Sequence, residues 1–330
     1  MRQPIWTNSS FRAAILVALA VAYALHVNPG LLSTGSMIGW STSQIGLWTA
    51  VLGQTLVLMG RGIDLSVGAG VSFINVVAIA LFGLGLPLVA VVPAALFAGL
   101  LVGAANGLLI GYMKLNPLLS TFAMSFVLLG LTLLIQPAPG GMAPIGAVMI
   151  MNGASLRIPN AVLMFAVVLM LWGGLIATRF WVELRATGSD PQRAFNSGIS
   201  IAGRRFLSYT LAGGFTALSG LFVTFAVGAG DPLIAQPYTL LTIAGAVIGG
   251  VAISGGSGSG YGAILGAIFI GLTSEVALGV GVSPFYQQFI IGVVLLLGLV
   301  VVVLSGRWLK AKGHARMVAR HRNECKEAAV

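Results

Sequence analysis

Runs of about 20 apolar residues, joined by short polar stretches, constrain this chain more than any motif in it. A helix of that length spans the hydrocarbon layer of a bilayer. Ten such runs can be read, at about 11–29, 41–60, 66–83, 86–112, 117–136, 159–177, 204–228, 238–253, 261–280 and 284–305. Only 7% of the 330 residues are charged and 58% are hydrophobic, whereas an ordinary soluble domain is about 25% charged. The runs do not alternate polar and apolar in ten-residue strands, so helices are favoured over a barrel. The predicted fold class is an all-α polytopic membrane protein with about ten transmembrane helices. Its 46 glycines, many inside the runs, allow close helix approach and broken helices.

The basic residues set the orientation. With the N-terminus in the cytoplasm, Arg2, Arg12, Arg61, Lys114, Arg179, Arg185, Arg193, Arg204, Arg205 and the seven Lys/Arg beyond residue 305 fall inside, and Arg157 alone falls outside. The positive-inside rule thus predicts cytoplasmic N- and C-termini. The net charge of +10 is accounted for as a topology signal, without nucleic acid as a partner. The chain divides into a cytoplasmic lead at 1–10, one transmembrane domain at 11–305, and a basic cytoplasmic tail at 306–330 suited to anionic lipid headgroups or to a partner. The one cysteine, Cys325, lies in that tail and cannot form an intrachain disulfide, and no metal-ligand cluster is seen. The first run lacks an A-x-A-like cleavage site and reads as a retained span.

Residues 179–205 form a polar island between two apolar halves, with charges at Arg179, Glu183, Arg185, Asp190, Arg193, Arg204 and Arg205. Asp190 suits an N-cap, Pro191 the first helical position and Gly198 the stop, which predicts a helix of roughly two turns at about 191–197. It is either a grip for a cytoplasmic partner or a solvated connection with a capped turn.

Elsewhere polar residues interrupt the runs. GRGIDLSVGAG at 60–70 breaks a span with glycines, an Arg, an Asp and a Ser. Irregular backbone at membrane depth is tolerated only against protein or a water-filled cavity, and ionisable groups there are functional candidates. Asp64 either pairs with Arg61, caps the next helix or meets a solute. Ser66, Ser72, Asn75, Asn106 and Ser125 either line a polar path or bond across helices, and Glu275 is the one acid well inside a late run. These seven are the candidate pathway residues. Residues 30–40 read as an outer turn, 137–158 as a long outer loop with an apolar GAVMIM piece, and 228–238 as an outer loop holding Asp231. SGGSGSG at 254–260 lacks the Lys-Ser/Thr of a phosphate loop and reads as a close-packed inner turn.

Four motifs, in order, resemble the permease subunits of ABC importers for ribose, xylose, arabinose, galactose and related solutes. They are GIDLSVG (62–68), the Asn-Pro turn with its Ser-Thr (116–121), RATGSDPQRAFNSGI (185–199) and SPFYQQFIIGVVLLLG (283–298). The resemblance covers about 50–300. The chain departs from the family's pattern at Arg61, where Gly is usual, at Ser274-Glu275 in place of an Asn-rich site, at Ser257 in place of an Arg, and at Ser189-Asp190 in place of Gly-Asn.

The resemblance implies a transmembrane permease subunit of an ATP-driven importer for a monosaccharide or similar small polar solute, in a bacterial cytoplasmic (inner) membrane. Its implied partners are a second permease chain, identical or not, cytoplasmic ATPase subunits, an extracytoplasmic solute-binding protein and the lipid bilayer. The island helix would be the coupling helix, with Asp190, Arg193, Ala194, Phe195, Asn196 and Gly198 at the ATPase. The chain has no Walker A lysine motif, so ATP and Mg would reside on the partner ATPase, with no cofactor on this chain and no enzymatic activity of its own. Two rival readings are an ion-coupled secondary transporter using Asp64 or Glu275, and a non-transporting membrane scaffold.

Overall fold

The computed structural model describes residues 9–283 together with 286, 289, 292, 293 and 296. Most of the run at 284–305, the tail with Cys325 and most of the fourth motif lie outside the described residues. Within them the chain forms twelve α-helices: α1 (Ser9–Val27), α2 (Thr34–Met59), α3 (Val67–Gly83), α4 (Leu88–Gly107), α5 (Pro117–Ile135), α6 (Ile145–Met151), α7 (Asn160–Ile176), α8 (Arg179–Ser189), α9 (Pro191–Asn196), α10 (Ile201–Val227), α11 (Tyr238–Ile248) and α12 (Gly260–Gly279). A helix therefore occupies each of the nine apolar runs that fall within the described residues. Four are long and apolar enough to cross a membrane unaided: α4 with its continuation to Tyr112, α5, α10 and α12. A fifth crossing results if α7 and α8, bent by 72° at their junction, are counted as one.

Two helices organise the bundle. Every residue of α2 from Ile45 to Met59 is buried, among α7, α10, α11 and α12. α10 packs along α2, α3 and α4. Its approach to α4 runs over glycines four residues apart, Gly99, Gly103 and Gly107, continued by Gly111 in a π turn (Leu108–Tyr112). A Cβ on Gly103 would strike the Tyr209 carbonyl oxygen and lie 3.0 Å from the Cα atoms of Gly213 and Thr210. Small residues at such a crossing let backbones touch where lipid provides no hydrophobic drive for association. Gly103→Val should therefore lower stability by about 1–3 kcal/mol through overpacking. Thermal unfolding in detergent checks this, with Gly174→Ala, which meets nothing within 4 Å, as the unchanged control.

Several sequence expectations are revised. The turn expected at 30–40 ends earlier, because Ser33 accepts from the Ser36 N–H (3.3 Å) and starts α2 at Thr34. The long loop at 137–158 contains α6 and a hairpin pairing Ala154–Ser155 with Ile158–Pro159, and Arg157 turns that hairpin at φ 66°. The island contains a second helix, α8, whose Phe180, Trp181 and Leu184 pack into the core. Arg204 belongs to α10 and pairs with Glu183 of α8 at 2.9 Å, half-buried.

The stretch 228–238 is not a free outer loop. After α10 ends at Gly228 (φ 78°), the chain runs down the side of α3. The Asp231 N–H donates to Asn75 Oδ1 (2.8 Å), and the Ala235 N–H to Ser72 Oγ (3.1 Å). Thr239 Oγ1 then accepts from the Gly68 N–H (3.2 Å). Each step moves about one turn along α3 toward its N-terminus. α11 starts only there, and its eleven residues span about 16 Å, half a bilayer.

Candidate functional site

Two places gather the sequence-predicted residues. One is the break between α2 and α3. Arg61, at φ 63°, turns the chain out of α2, and residues 62–65 follow without helical hydrogen bonds between successive turns. Neighbouring helices supply the missing partners. The Leu65 N–H donates to Thr121 Oγ1 of α5 (3.0 Å). The Ile63 carbonyl accepts from Tyr209 of α10 (3.4 Å), and the Leu65 carbonyl from Thr239 of α11 (3.4 Å). These bonds meet part of the demand that irregular backbone in apolar surroundings places on its neighbours.

Asp64, 5% exposed, closes the break from inside. Its Oδ1 accepts from both the N–H and the hydroxyl of Ser66, at the start of α3. Asn106 Nδ2 of α4 donates to Ser66 Oγ (3.0 Å). Asp64 thus makes a local turn with Ser66, the residue just before α3, and does not reach the N–H groups of α3 itself; Arg61 turns away and donates from Nε to the Ser254 carbonyl (2.8 Å). Asp64, Ser66, Asn106 and Thr216 line a small cavity of about 10 Å³, at the lower limit of what holds one water. Ser72 and Asn75 lie buried one and two turns along α3. They hold the descending segment, and Asn75 Nδ2 also donates to Thr224 Oγ1 and the Ala229 carbonyl, both at 3.0 Å.

Beside the break opens a cleft of about 380 Å³, within the range of small-molecule sites. α5 contributes Phe122, Ser125 and Phe126; the break contributes Leu65 and the first turn of α3 Ala69; the descending segment and α11 contribute Pro232, Gln236 and Thr239. Aromatic faces with a few hydroxyl and amide groups suit a small polyhydroxylated solute. Gln236 and Thr239 escape a reading of the sequence, since nothing in QPYT marks a strand of chain that leaves the surface and enters the bundle. Glu275 is not brought to this place: it sits partly buried on α12, which packs on α1, α2 and α11. Among the described residues no group of three His, Cys, Asp or Glu could hold a metal, and the cleft offers hydrogen bonding without covalent chemistry.

The second place is α9. Asp190 Oδ1 accepts from the Arg193 N–H (3.1 Å), with Pro191 in the first turn, so the cap forms as its residues predict. The Gly198 N–H donates to the Phe195 carbonyl (2.9 Å) and the Ile199 N–H to the Ala194 carbonyl (3.1 Å), with Gly198 at φ 78°. The short helix is thus closed at both ends. Phe195 is 65% exposed, and Arg193 and Asn196 are exposed beside it. Ala194 is buried against the chain, unlike the other five candidate residues of this segment.

The profile of the family described as "Branched-chain amino acid transport system / permease component" matches residues 36–299. The ribose import permease protein of Bacillus subtilis is 33% identical over 249 residues, covering 74% of this chain and 77% of its own. The autoinducer 2 import system permease protein of Salmonella choleraesuis is 30% identical over 303 residues (88% and 85%). The fructose import permease protein of Rhizobium meliloti is 29% identical over 309 residues (90% and 84%). No solved structure matches the chain.

Proposed function

The chain belongs to the family of branched-chain amino acid transport system permease components, and from that premise we propose that it is the multi-pass membrane subunit of an ATP-driven importer for a monosaccharide or similar small polar solute. The named cargoes of its relatives, ribose, fructose and autoinducer 2, support a small polar solute. The permease is not itself an enzyme; hydrolysis of ATP, with Mg, belongs to a separate cytoplasmic ATPase. A binding protein delivers solute on the outer face. The topology proposed is ten spans with both termini in the cytoplasm of a bacterial cell, the chain residing in the cytoplasmic membrane. Only 22% of α4 and of α5 is buried, which leaves ample apolar face for lipid and for a second permease chain.

One observation carries the transport reading: two interrupted elements, the α2–α3 break and the segment descending to the half-length α11, meet at the same cleft. Discontinuous helices whose irregular backbone lines a cavity are how membrane carriers present polar groups to a solute. Ser125, Gln236 and Thr239 are the side chains offered to it. The remaining candidates Asp64, Ser66, Ser72, Asn75 and Asn106 act one layer behind, by holding the two irregular segments in place. Glu275 stands apart, and Glu275→Gln measures whether its charge contributes to flux.

Reconstitution of the chain with its ATPase and binding protein in proteoliposomes tests the proposal. Uptake of ribose or fructose should require ATP and all three components. Uptake by the chain alone under a proton or sodium gradient would replace the proposal with an ion-coupled carrier. In the same assay Gln236→Ala and Ser125→Ala, each deleting one hydrogen-bonding group worth about 1 kcal/mol, should lower the maximal uptake rate about three- to tenfold. ATPase association should be unchanged.

A further inference from the structure

The glycine-rich stretch between α11 and α12 is wedged between the end of α2 and the junction of α8 with α9. The Gly256 N–H donates to the Met59 carbonyl (3.1 Å), the last residue of α2. The Gly256 carbonyl accepts from Arg185 Nε and Ser189 Oγ, each at 3.4 Å. The Ser254 carbonyl accepts from Arg61 Nε. A Cβ on Gly188 would strike the Met59 carbonyl oxygen and lie 2.6 Å from the Gly256 nitrogen. A Cβ on Gly255 would lie 2.5 Å from Arg61 Cγ and 3.1 Å from the Gly188 carbonyl oxygen. The three segments thus touch backbone to backbone, without room for a methyl group.

We infer that this junction transmits movement of α9 to the α2–α3 break, and that Arg61 is the positioning residue that clasps it. The inference rests on the coupling role proposed for α9. Ser189 touches the glycine loop and is followed directly by Asp190, the cap of α9. Arg61 holds the same loop and is followed within three residues by Asp64 of the break. Displacement of α9 therefore acts on the glycine loop at one side and leaves it at Arg61 on the other. Close-packed contacts of this kind move as a unit because they have no slack to absorb a shift. The backbone at 61 adds a second argument. A left-handed φ suits glycine, and an arginine there is strained. The guanidinium contact with Ser254 is what offsets that strain. The loop is not a phosphate cradle: the N–H groups of Gly255 and Gly256 already donate to the Ala252 and Met59 carbonyls.

Arg61→Gly separates transmission from folding, since it deletes the clasp while relieving the backbone. In the proteoliposome system with ATPase and binding protein, the variant should keep its thermal midpoint and its ATPase association, yet deliver at least threefold less solute per ATP hydrolysed. Arg61→Lys, which can still reach the Ser254 carbonyl, should restore most of the ratio. An unchanged ratio in Arg61→Gly, or a loss of ATPase association that makes Arg61 a docking contact, overturns the inference. Phe195→Ala run alongside keeps the two readings apart. If it loses ATPase association while Arg61→Gly keeps its ratio, the relay alone is wrong; if it keeps association, the coupling role of α9 is wrong.

Discussion

Phe195→Ala is expected to weaken association with the partner ATPase about tenfold to thirtyfold, measured by binding of purified ATPase to the detergent-solubilised chain. The side chain is 65% exposed on a helix whose two ends are already closed by Asp190 and Gly198. Truncating it therefore removes little from the fold. Aromatic anchors presented on a rigid element are the residues whose loss costs an interface about 1.4–2 kcal/mol or more. Arg193→Glu should also weaken docking. Its ion pair with Asp190 is exposed and contributes at most about 1 kcal/mol, so a larger loss reports the partner surface and not the helix. Val182 on neighbouring α8 is 66% exposed and serves as the control. If Val182→Ala weakens binding as much as Phe195→Ala does, the ATPase grips a broader surface than α9.

The two signals that locate α9 and the break were legible in the sequence because they are local. Asp190, Pro191 and Gly198 cap a helix through contacts within four residues. The glycines and Asp64 disrupt an apolar period wherever the rest of the chain goes. What could not be read were the partners chosen across the fold. Arg61 lies three residues from Asp64, a natural spacing for a pair, yet its backbone turns it to Ser254, 193 residues away. The descent of residues 229–237 along α3 leaves no periodicity of its own, since it is a run of turns held by Asn75, Ser72 and Gly68. Gln236 and Thr239 reach the cleft for that reason alone. The bend between α7 and α8 likewise hid an amphipathic helix, because its charges blur into the polar island. The inward face of Ala194 depends on which side of a two-turn helix meets the bundle, and six residues are too few to show it.

Asp64→Leu should lower stability by about 2–5 kcal/mol. The leucine fills the site but leaves the N–H and hydroxyl of Ser66 without their acceptor, in a place 3% exposed. Each orphaned group costs about 1–3 kcal/mol. The loss spreads further, because Asn106 donates to the same hydroxyl and ties α4 to the break. Thermal unfolding in detergent should show a midpoint lower by more than about 5 °C, with a fall in monodisperse yield. Asp64→Asn keeps a carbonyl oxygen where Oδ1 stands and can still accept both bonds, so it should fold close to the native midpoint. The pair also separates structure from charge. Arg61 is engaged with Ser254 and does not neutralise the carboxylate, so a transport role for the charge would appear as an Asn variant that folds, binds ATPase and fails to import. A role limited to the Ser66 hydrogen bonds predicts the opposite: import retained in Asp64→Asn and lost in Asp64→Leu together with the fold. A leucine variant as stable as the parent chain would remove the hydrogen-bond argument on which the integrity of the break depends.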